Sequence, residues 1–429
     1  MRRKPGQLWR TFSRHCLNCR LGSLEASCRM RISTMFDHPW LAYGFRPFFL
    51  LGALYAPIAL LPWIGALMQQ FTLPMALPPL AWHGHEMLFG FVSAALVGFL
   101  LTSIPSWASV TPIAGKSLAA LVLLWLAGRL LFWLSALIPG WLVAIVNLAL
   151  PLVLILWAAP ALLSEAGRRH LSIGMALIGY VLVQVLFYTA WLWPEVTGTI
   201  TPVAVLNTTV NLLLVLIALT ATRIVRVVAM EARKEIGFSG PGRLTPAREH
   251  LAVAALILFV IADFWAPGHV VTGWIALAAA AAQADRLSEW PWGRAMTRLY
   301  LLLLTLAYLW MVVGLVLVGV TALIDTLPGY TGRHALSAGA AGTAILAVFC
   351  IAGLRHTGRS LALPWLIWPA LVALVATALL RTFVPVWWPE YYLLAGVVLP
   401  FVLWLVSYLL YAIAYGRFLV TARADGMPG

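Results

Sequence analysis

Charged residues are scarce in this chain. They make up 10% of its 429 residues, whereas hydrophobic residues make up 62%. Soluble domains are roughly half apolar and a quarter charged, and burial grows too slowly with chain size for one soluble core to hide this much apolar surface. Intrinsic disorder requires low hydrophobicity, so it is excluded as well. The composition indicates a membrane protein.

Cysteine is also rare. Four cysteines in a chain of this length exclude a secreted disulfide framework. Cys16 and Cys19 form a C-x-x-C pair in a basic stretch that lacks the apolar run of a signal peptide. A c-type haem site needs a histidine directly after the second cysteine, and Arg20 is there instead. We expect residues 1–35 to be a disordered basic extension or a start-site artefact.

Long apolar runs fill the rest of the chain, and none shows the period-2 alternation of a membrane β-barrel. A spanning helix needs about 20 mainly apolar residues. Twelve runs approach or exceed this length, at residues 47–68, 85–103, 117–136, 141–163, 171–192, 203–229, 250–266, 269–285, 299–323, 335–354, 362–383 and 392–415. The pattern predicts an all-α polytopic protein with about 12 transmembrane helices in one domain over residues 36–420, followed by a cytoplasmic tail over 421–429. The runs at 250–266 and 269–285 are the weakest.

Positive charge is segregated between alternate loops. If the N-terminus lies inside, the inside segments hold nearly all arginines and lysines that lie between the runs, and Arg333 is the one basic residue of the outside loops. Because lysine and arginine enrich cytoplasmic loops, the pattern predicts that both termini are inside. The same segregation explains the formal net charge of +14, because basic loops orient the chain in the lipid bilayer. We therefore expect the bilayer as a partner and no nucleic acid.

The densest polar motif is Trp82–Met87, at the outer start of the second run, where His83, His85 and Glu86 are almost adjacent. Imidazole is a common ligand of copper, iron and zinc. On a regular helix the two histidines point about 200° apart, so they converge only if one lies in a turn before the helix. Pro78, Pro79 and Gly84 make such a turn plausible.

Other histidines extend this hypothesis. His334 is predicted on the same side of the membrane, so His83, His85 and His334 could hold one metal ion, which is the usual histidine count for an open site. Glu86 could orient a ligating histidine, and His269 is an auxiliary candidate. His356 is 22 residues beyond His334, about 33 Å along a helix, so any site that uses it is a separate inner one. The alternative is that these histidines only bind headgroups or helix ends.

Four segments resemble the NnrS family, membrane proteins that carry haem and copper and are linked to nitric oxide. The segments are Gly44–Phe49, Trp82–Gly90, Gly98–Thr102 and the stretch from His334 to Arg359. The resemblance covers roughly residues 36–415. It implies an inner-membrane protein of nitric oxide metabolism, denitrification or nitrosative-stress defence, with copper and a b-type haem.

The resemblance also bears on individual residues. His83, His85, His334 and His356 match the family's histidine positions, and His356, Arg359 and Arg46 are candidates to bind haem or its propionates. Thr305, Ile351 and Arg355 depart from the family pattern, which leaves the number of cofactors open.

Two other functions remain open. A metal-free secondary transporter would be built as two halves of six spans, with intramembrane polar residues along its path. The candidates for such a path are Arg129, Asn207, Asn211, Asp263 and Arg381. A metal-binding sensor or assembly factor would not turn over nitric oxide, and the sequence discloses neither turnover nor the redox partner that turnover would require.

Overall fold

The computed structural model describes residues 37–71, 73–235, 245–324, 327–328 and 330–427. Within these ranges all twelve predicted runs form helices and no strand is present, which confirms an all-α polytopic membrane protein. The predicted N-terminal extension with Cys16 and Cys19 lies outside the described residues.

The long helices are numbered here in chain order. The first six are α1 (Phe45–Leu67), α2 (Pro79–Ala108), α3 (Gly115–Trp133), α4 (Gly140–Leu163), α5 (Arg168–Leu192) and α6 (Pro202–Glu235). The next two are α7 (Pro246–Trp265) and α8 (Val270–Leu287). The last four are α9 (Leu299–Leu323), α10 (Thr331–Arg355), α11 (Ile367–Trp387) and α12 (Leu394–Val420).

Short helical turns complete the connections. They are Pro39–Leu41, Pro194–Thr197, Gly293–Thr297 and Pro389–Tyr391. Three of the four begin with a proline, whose fixed φ suits the first turn of a helix.

Among the described residues, ten of the long helices are apolar enough to cross a membrane, and α7 and α8 are the two that differ. α7 carries Arg248, Glu249 and Asp263, and α8 ends with Asp285 and Arg286. Both helices nevertheless pack in the same bundle, against α6 and α9. The count of twelve spans and the orientation with both termini inside stay predictions, and "outer" and "inner" below follow that orientation.

Helix α2 begins earlier than the sequence indicated. It starts at Pro79, because proline lacks the N–H that a first helical turn leaves unpaired and its φ is already helical. His83 and His85 therefore both lie inside the helix. The expected turn between them does not form, and the two side chains leave α2 in different directions.

Three stretches inside the long helices are π-helical. They are Glu86–Phe91 in α2, Ala335–Gly342 in α10 and Leu394–Val398 in α12. The first two directly follow His85 and His334. π-Segments are rare and occur often at functional sites.

Polar side chains from other helices pair with backbone carbonyls of the π-segment in α2. The Tyr180 hydroxyl donates to the carbonyl of Leu88 at 2.7 Å, and Trp125 Nε1 donates to the carbonyl of Gly90 at 3.2 Å. Water is absent from the hydrocarbon core, so these contacts give the wide turn the partners that it needs there.

The placement of α7 and α8 can be tested with Pro267, which is exposed between them. In a variant whose four native cysteines are replaced by alanine, Pro267→Cys should react in intact spheroplasts with a maleimide that does not cross membranes, because two spanning helices put this loop outside. Arg168→Cys, at the opposite end of the bundle, is the control and should react only after permeabilisation. Labelling of both positions only after permeabilisation would contradict the twelve-span topology.

Candidate functional site

A cavity of about 200 Å³ lies near the outer ends of α2, α6, α10, α11 and α12. We call it the outer cavity. Most of its wall is apolar, and its polar lining side chains are His83, Asn207, Arg333, His334, Ser337, Thr377 and Arg381. The cavity therefore combines a few polar groups with an apolar interior, as cofactor and ligand sites commonly do.

His83 reaches this cavity from the second turn of α2. Its ring stacks on Trp63 of α1, with ring centroids 4.8 Å apart. Its Nδ1 atom is buried and has no hydrogen-bond partner among the described residues. A buried ring nitrogen without a partner is costly, so a ligand atom bound to it would remove that cost.

His334 enters the same cavity from the start of α10. The preceding residue, Arg333, is held by a partly buried ion pair with Asp263 of α7, with Nη2 2.7 Å from Oδ2. Arg333 Nη1 also donates to Asn211 Oδ1 of α6 at 3.0 Å, and Asn211 Nδ2 donates to Asp263 Oδ2 at 2.7 Å. This triad fixes the first turn of α10, and with it the position of His334.

Arg381 supplies the second positive charge of the outer cavity. Its Nη1 atom donates to the carbonyl of Gly396 at 3.1 Å. Its guanidinium lies over the rings of Trp63 and Tyr392, 5.4 and 5.6 Å from their centroids. Its described contacts include aromatic faces and a carbonyl but no carboxylate, so the cavity holds cationic charge that suits an anionic group.

His85 is placed away from the outer cavity. Its Nδ1 atom lies 2.9 Å from Glu86 Oε1, and its Nε2 atom lies 2.8 Å from the hydroxyl of Tyr188 on α5. Because a carboxylate accepts, Nδ1 carries the proton and Nε2 accepts from Tyr188. The ring also stacks on Phe132. Both nitrogens of His85 are thus occupied by protein groups.

Glu86 is the centre of this second polar cluster, and its side chain is fully buried. Arg129 Nη1 of α3 donates to Glu86 Oε1 at 2.6 Å. Trp133 Nε1 donates to Oε2 at 3.1 Å, and the Tyr55 hydroxyl of α1 also donates to Oε2. Arg129 in turn donates to Asn147 Oδ1 of α4. We call these residues, with His85 and Tyr188, the Glu86 cluster.

The predicted three-histidine site is thus divided between two places. His83 and His334 line the outer cavity, whereas His85 belongs to the Glu86 cluster. Across the described ranges, no group of three or more His, Cys, Asp or Glu side chains is arranged to hold a metal ion. The physical reason is the helical start at Pro79, because residues two apart on a helix point in nearly opposite directions.

The remaining predicted residues have structural partners. His269 is exposed and caps α8, its Nδ1 accepting from the N–H of Val271 at 3.2 Å. Arg46 is buried and donates to the carbonyls of Leu419 and Thr421, at 3.0 and 2.6 Å, so it pairs the free carbonyls at the end of α12. Thr305 donates to the carbonyl of Leu301 at 2.9 Å.

His356 and Arg359 lie together at the inner end, apart from the outer cavity. The His356 ring packs against Phe45, with centroids 5.6 Å apart, and Arg359 lies 4.3 Å over the ring of Phe418. Burial, together with the positive charges of Arg423 and Arg355, lowers the pKa of His356 to about 4, so it is neutral at physiological pH. Neither residue reaches His83 or His334.

Comparison with known families identifies the family of the chain. The model of the family described as NnrS protein matches residues 39–423, nearly the whole chain. The chain belongs to the NnrS family. No curated protein matches it. The part of this NnrS family protein that the model matches includes Trp82–Gly90, which contributes to the outer cavity and to the Glu86 cluster alike.

Several residues of this NnrS protein's two sites were not predicted from its sequence. Tyr55, Trp133, Asn147 and Tyr188 all belong to the Glu86 cluster. The available signal was Arg129, because an arginine inside a membrane helix needs an acidic partner. Arg129 pairs with Glu86, and Asp263 pairs with Arg333. A secondary transporter would need these side chains free to contact its solute, so the pairing argues against that alternative.

The Glu86 cluster should contribute strongly to stability. Arg129→Ala leaves the Glu86 carboxylate buried without its cation, and breaking a buried ion pair on one side costs about 3–5 kcal/mol. We expect a clearly lower midpoint of thermal unfolding in detergent. Arg248→Ala is the matched control, because its ion pair with Asp285 is about half exposed and such pairs contribute about 1 kcal/mol or less. Equal midpoints for the two variants would show that the cluster does not stabilise the bundle.

Proposed function

We propose that this NnrS family protein acts in nitric oxide metabolism or nitrosative-stress defence in the inner membrane, by holding a haem in the outer cavity. The observation that carries the proposal is the meeting of His83 and His334 in one largely apolar cavity, with His83 Nδ1 buried and unpaired. The family membership supplies the link to nitric oxide.

The lining of the outer cavity fits a haem in three respects. His83 and His334 are the imidazoles that could ligate the iron. Arg381 lies in the same wall, where its guanidinium could bind a propionate through a pair of hydrogen bonds. The rest of the lining is mostly apolar, with the short side chains of Ala338 and Ala341 of α10 in the wall, which suits an apolar porphyrin ring. When bound, haem supplies an iron centre that binds nitric oxide and exchanges one electron.

The protein's own contribution is to hold these groups in place. Trp63 fixes the ring plane of His83 by stacking, and the triad of Arg333, Asp263 and Asn211 fixes the turn that carries His334. An unknown redox partner would be needed for turnover, whereas binding alone would make the protein a sensor or an assembly factor.

Copper fits the described residues less well. His83 and His334 supply two imidazoles, and no third His, Cys, Asp or Glu side chain of the described ranges joins them. His85, which was predicted as the third ligand, is bonded to Glu86 and Tyr188. The proposal therefore includes haem and assigns no step to copper.

The decisive experiment is an absorption spectrum with haem quantification on the purified protein. The wild type should show a Soret band, and the His83→Ala/His334→Ala variant should lose haem, because both candidate ligands are gone. His269→Ala is the matched control: it removes an exposed imidazole at the outer end of the bundle and at most the helix cap of α8, about 1 kcal/mol, so haem content should be unchanged.

Two results would overturn the proposal. One is a wild-type protein that remains free of haem when it is produced with ample haem supply. The other is a double variant that is folded, by the midpoint of its thermal unfolding, and retains wild-type haem content. Retention of haem by the His83→Ala/His334→Ala variant together with its loss in His356→Ala would instead place the haem at the inner end.

A further inference from the structure

A second, smaller cavity of about 80 Å³ continues the outer cavity toward the membrane centre. We call it the inner cavity. Four residues line both cavities, namely Val92, Leu213, Ala341 and Ile345. These four side chains of α2, α6 and α10 form the boundary between the two cavities. The inner cavity therefore directly continues the outer one along these helices.

The inner cavity extends well into the bilayer. Along α2 the lining runs from His83 in the outer cavity to Phe99 in the inner one, sixteen residues apart, or about 24 Å at the rise of an α-helix. Phe99, Leu216 and Thr220, near its inner end, are partly exposed on the helix surface. In a membrane this surface faces hydrocarbon, so the inner cavity lies between lipid and the histidines.

The chemistry of the inner cavity is uniformly apolar. None of its twelve lining residues is charged, and Thr220 is the one with a polar side-chain atom. That hydroxyl donates to the carbonyls of Leu216 and Ile217, at 2.8 and 3.2 Å, so it offers no free donor. Apolar cavities of this kind stay dry and bind xenon or small apolar molecules.

We propose that the inner cavity is the passage by which a small apolar gas moves from the lipid to the outer cavity. The inference rests on the proposed function for its physiological gas, nitric oxide. A diatomic molecule needs about the space of one water, roughly 30 Å³, which the inner cavity provides, whereas a charged or hydrogen-bonding substrate would find no partner along its wall. Ions and polar solutes would be restricted to the polar outer end.

The proposal can be tested with one variant that narrows the inner cavity and one that widens it, both of which leave the lining of the outer cavity unchanged. Ala344 and Leu216 line the inner cavity alone. Ala344→Phe should fill it and slow the association of nitric oxide with the haem-loaded protein in nanodiscs by about tenfold, equivalent to about 1.4 kcal/mol in the barrier. Leu216→Ala should raise that rate. Haem content and the Soret band should match the wild type in both.

Ala254→Phe is the matched control, since it adds the same ring on an exposed, lipid-facing position of α7, and its association rate should equal that of the wild type. Xenon-pressurised crystals give a readout independent of haem, with a xenon atom expected between Ala95, Leu216 and Ala344 in the wild type and absent from Ala344→Phe. Unchanged rates in both passage variants, or an inner cavity without xenon, would overturn the inference. A protein that holds xenon there but no haem would contradict the proposed function alone.

Discussion

The carboxylate of Glu86 is the group on which the outer half of this bundle depends. It is fully buried in a part of the chain that the membrane surrounds, where no water can solvate it. Side chains from three other helices surround it, because Tyr55, Arg129 and Tyr188 reach it or its neighbour His85 from α1, α3 and α5. This cluster fixes the rotation of α2 about its own axis. Since His83 is three residues before Glu86, the same rotation determines that His83 faces the outer cavity.

Much of the fold could be predicted from the sequence, because a spanning helix is a local property of composition and length. The uncertain runs at 250–266 and 269–285 became α7 and α8, whose charged ends weaken the apolar signal. Their charges have tertiary partners, as Asp263 has in Arg333. The sequence shows that a charged side chain lies in the membrane, where it is unfavourable without a partner, but it does not show which distant residue is that partner.

The candidate site could be predicted only in part. The 200° separation of His83 and His85 followed from helix geometry, and their divergence depended on whether α2 starts before or after His83. Pro79 decides this by starting the helix. The sequence did not show that Arg46 and His269 each pair with the backbone at a helix end, since such contacts are known only once the helices are placed in space. Their predicted roles in binding haem and metal stay predictions. The meeting of His83 with His334 was predicted, because both were assigned to the same side of the membrane.

The π-helical segments directly after His85 and His334 have a consequence for how this scaffold can vary. An α-helix advances about 100° per residue, and a π-turn accommodates one residue more than an α-turn. Removing a single residue from Glu86–Phe91 would let that stretch become α-helical. The part of α2 on its outer side, with His83 and His85, would then rotate about the helix axis by about a quarter turn relative to the remainder of α2. The sides of α2 that carry His83 and Glu86 would then face different neighbouring helices, although no side chain had been changed. Single-residue deletions and insertions, rather than substitutions, are therefore the changes by which such a helix could redirect its histidines.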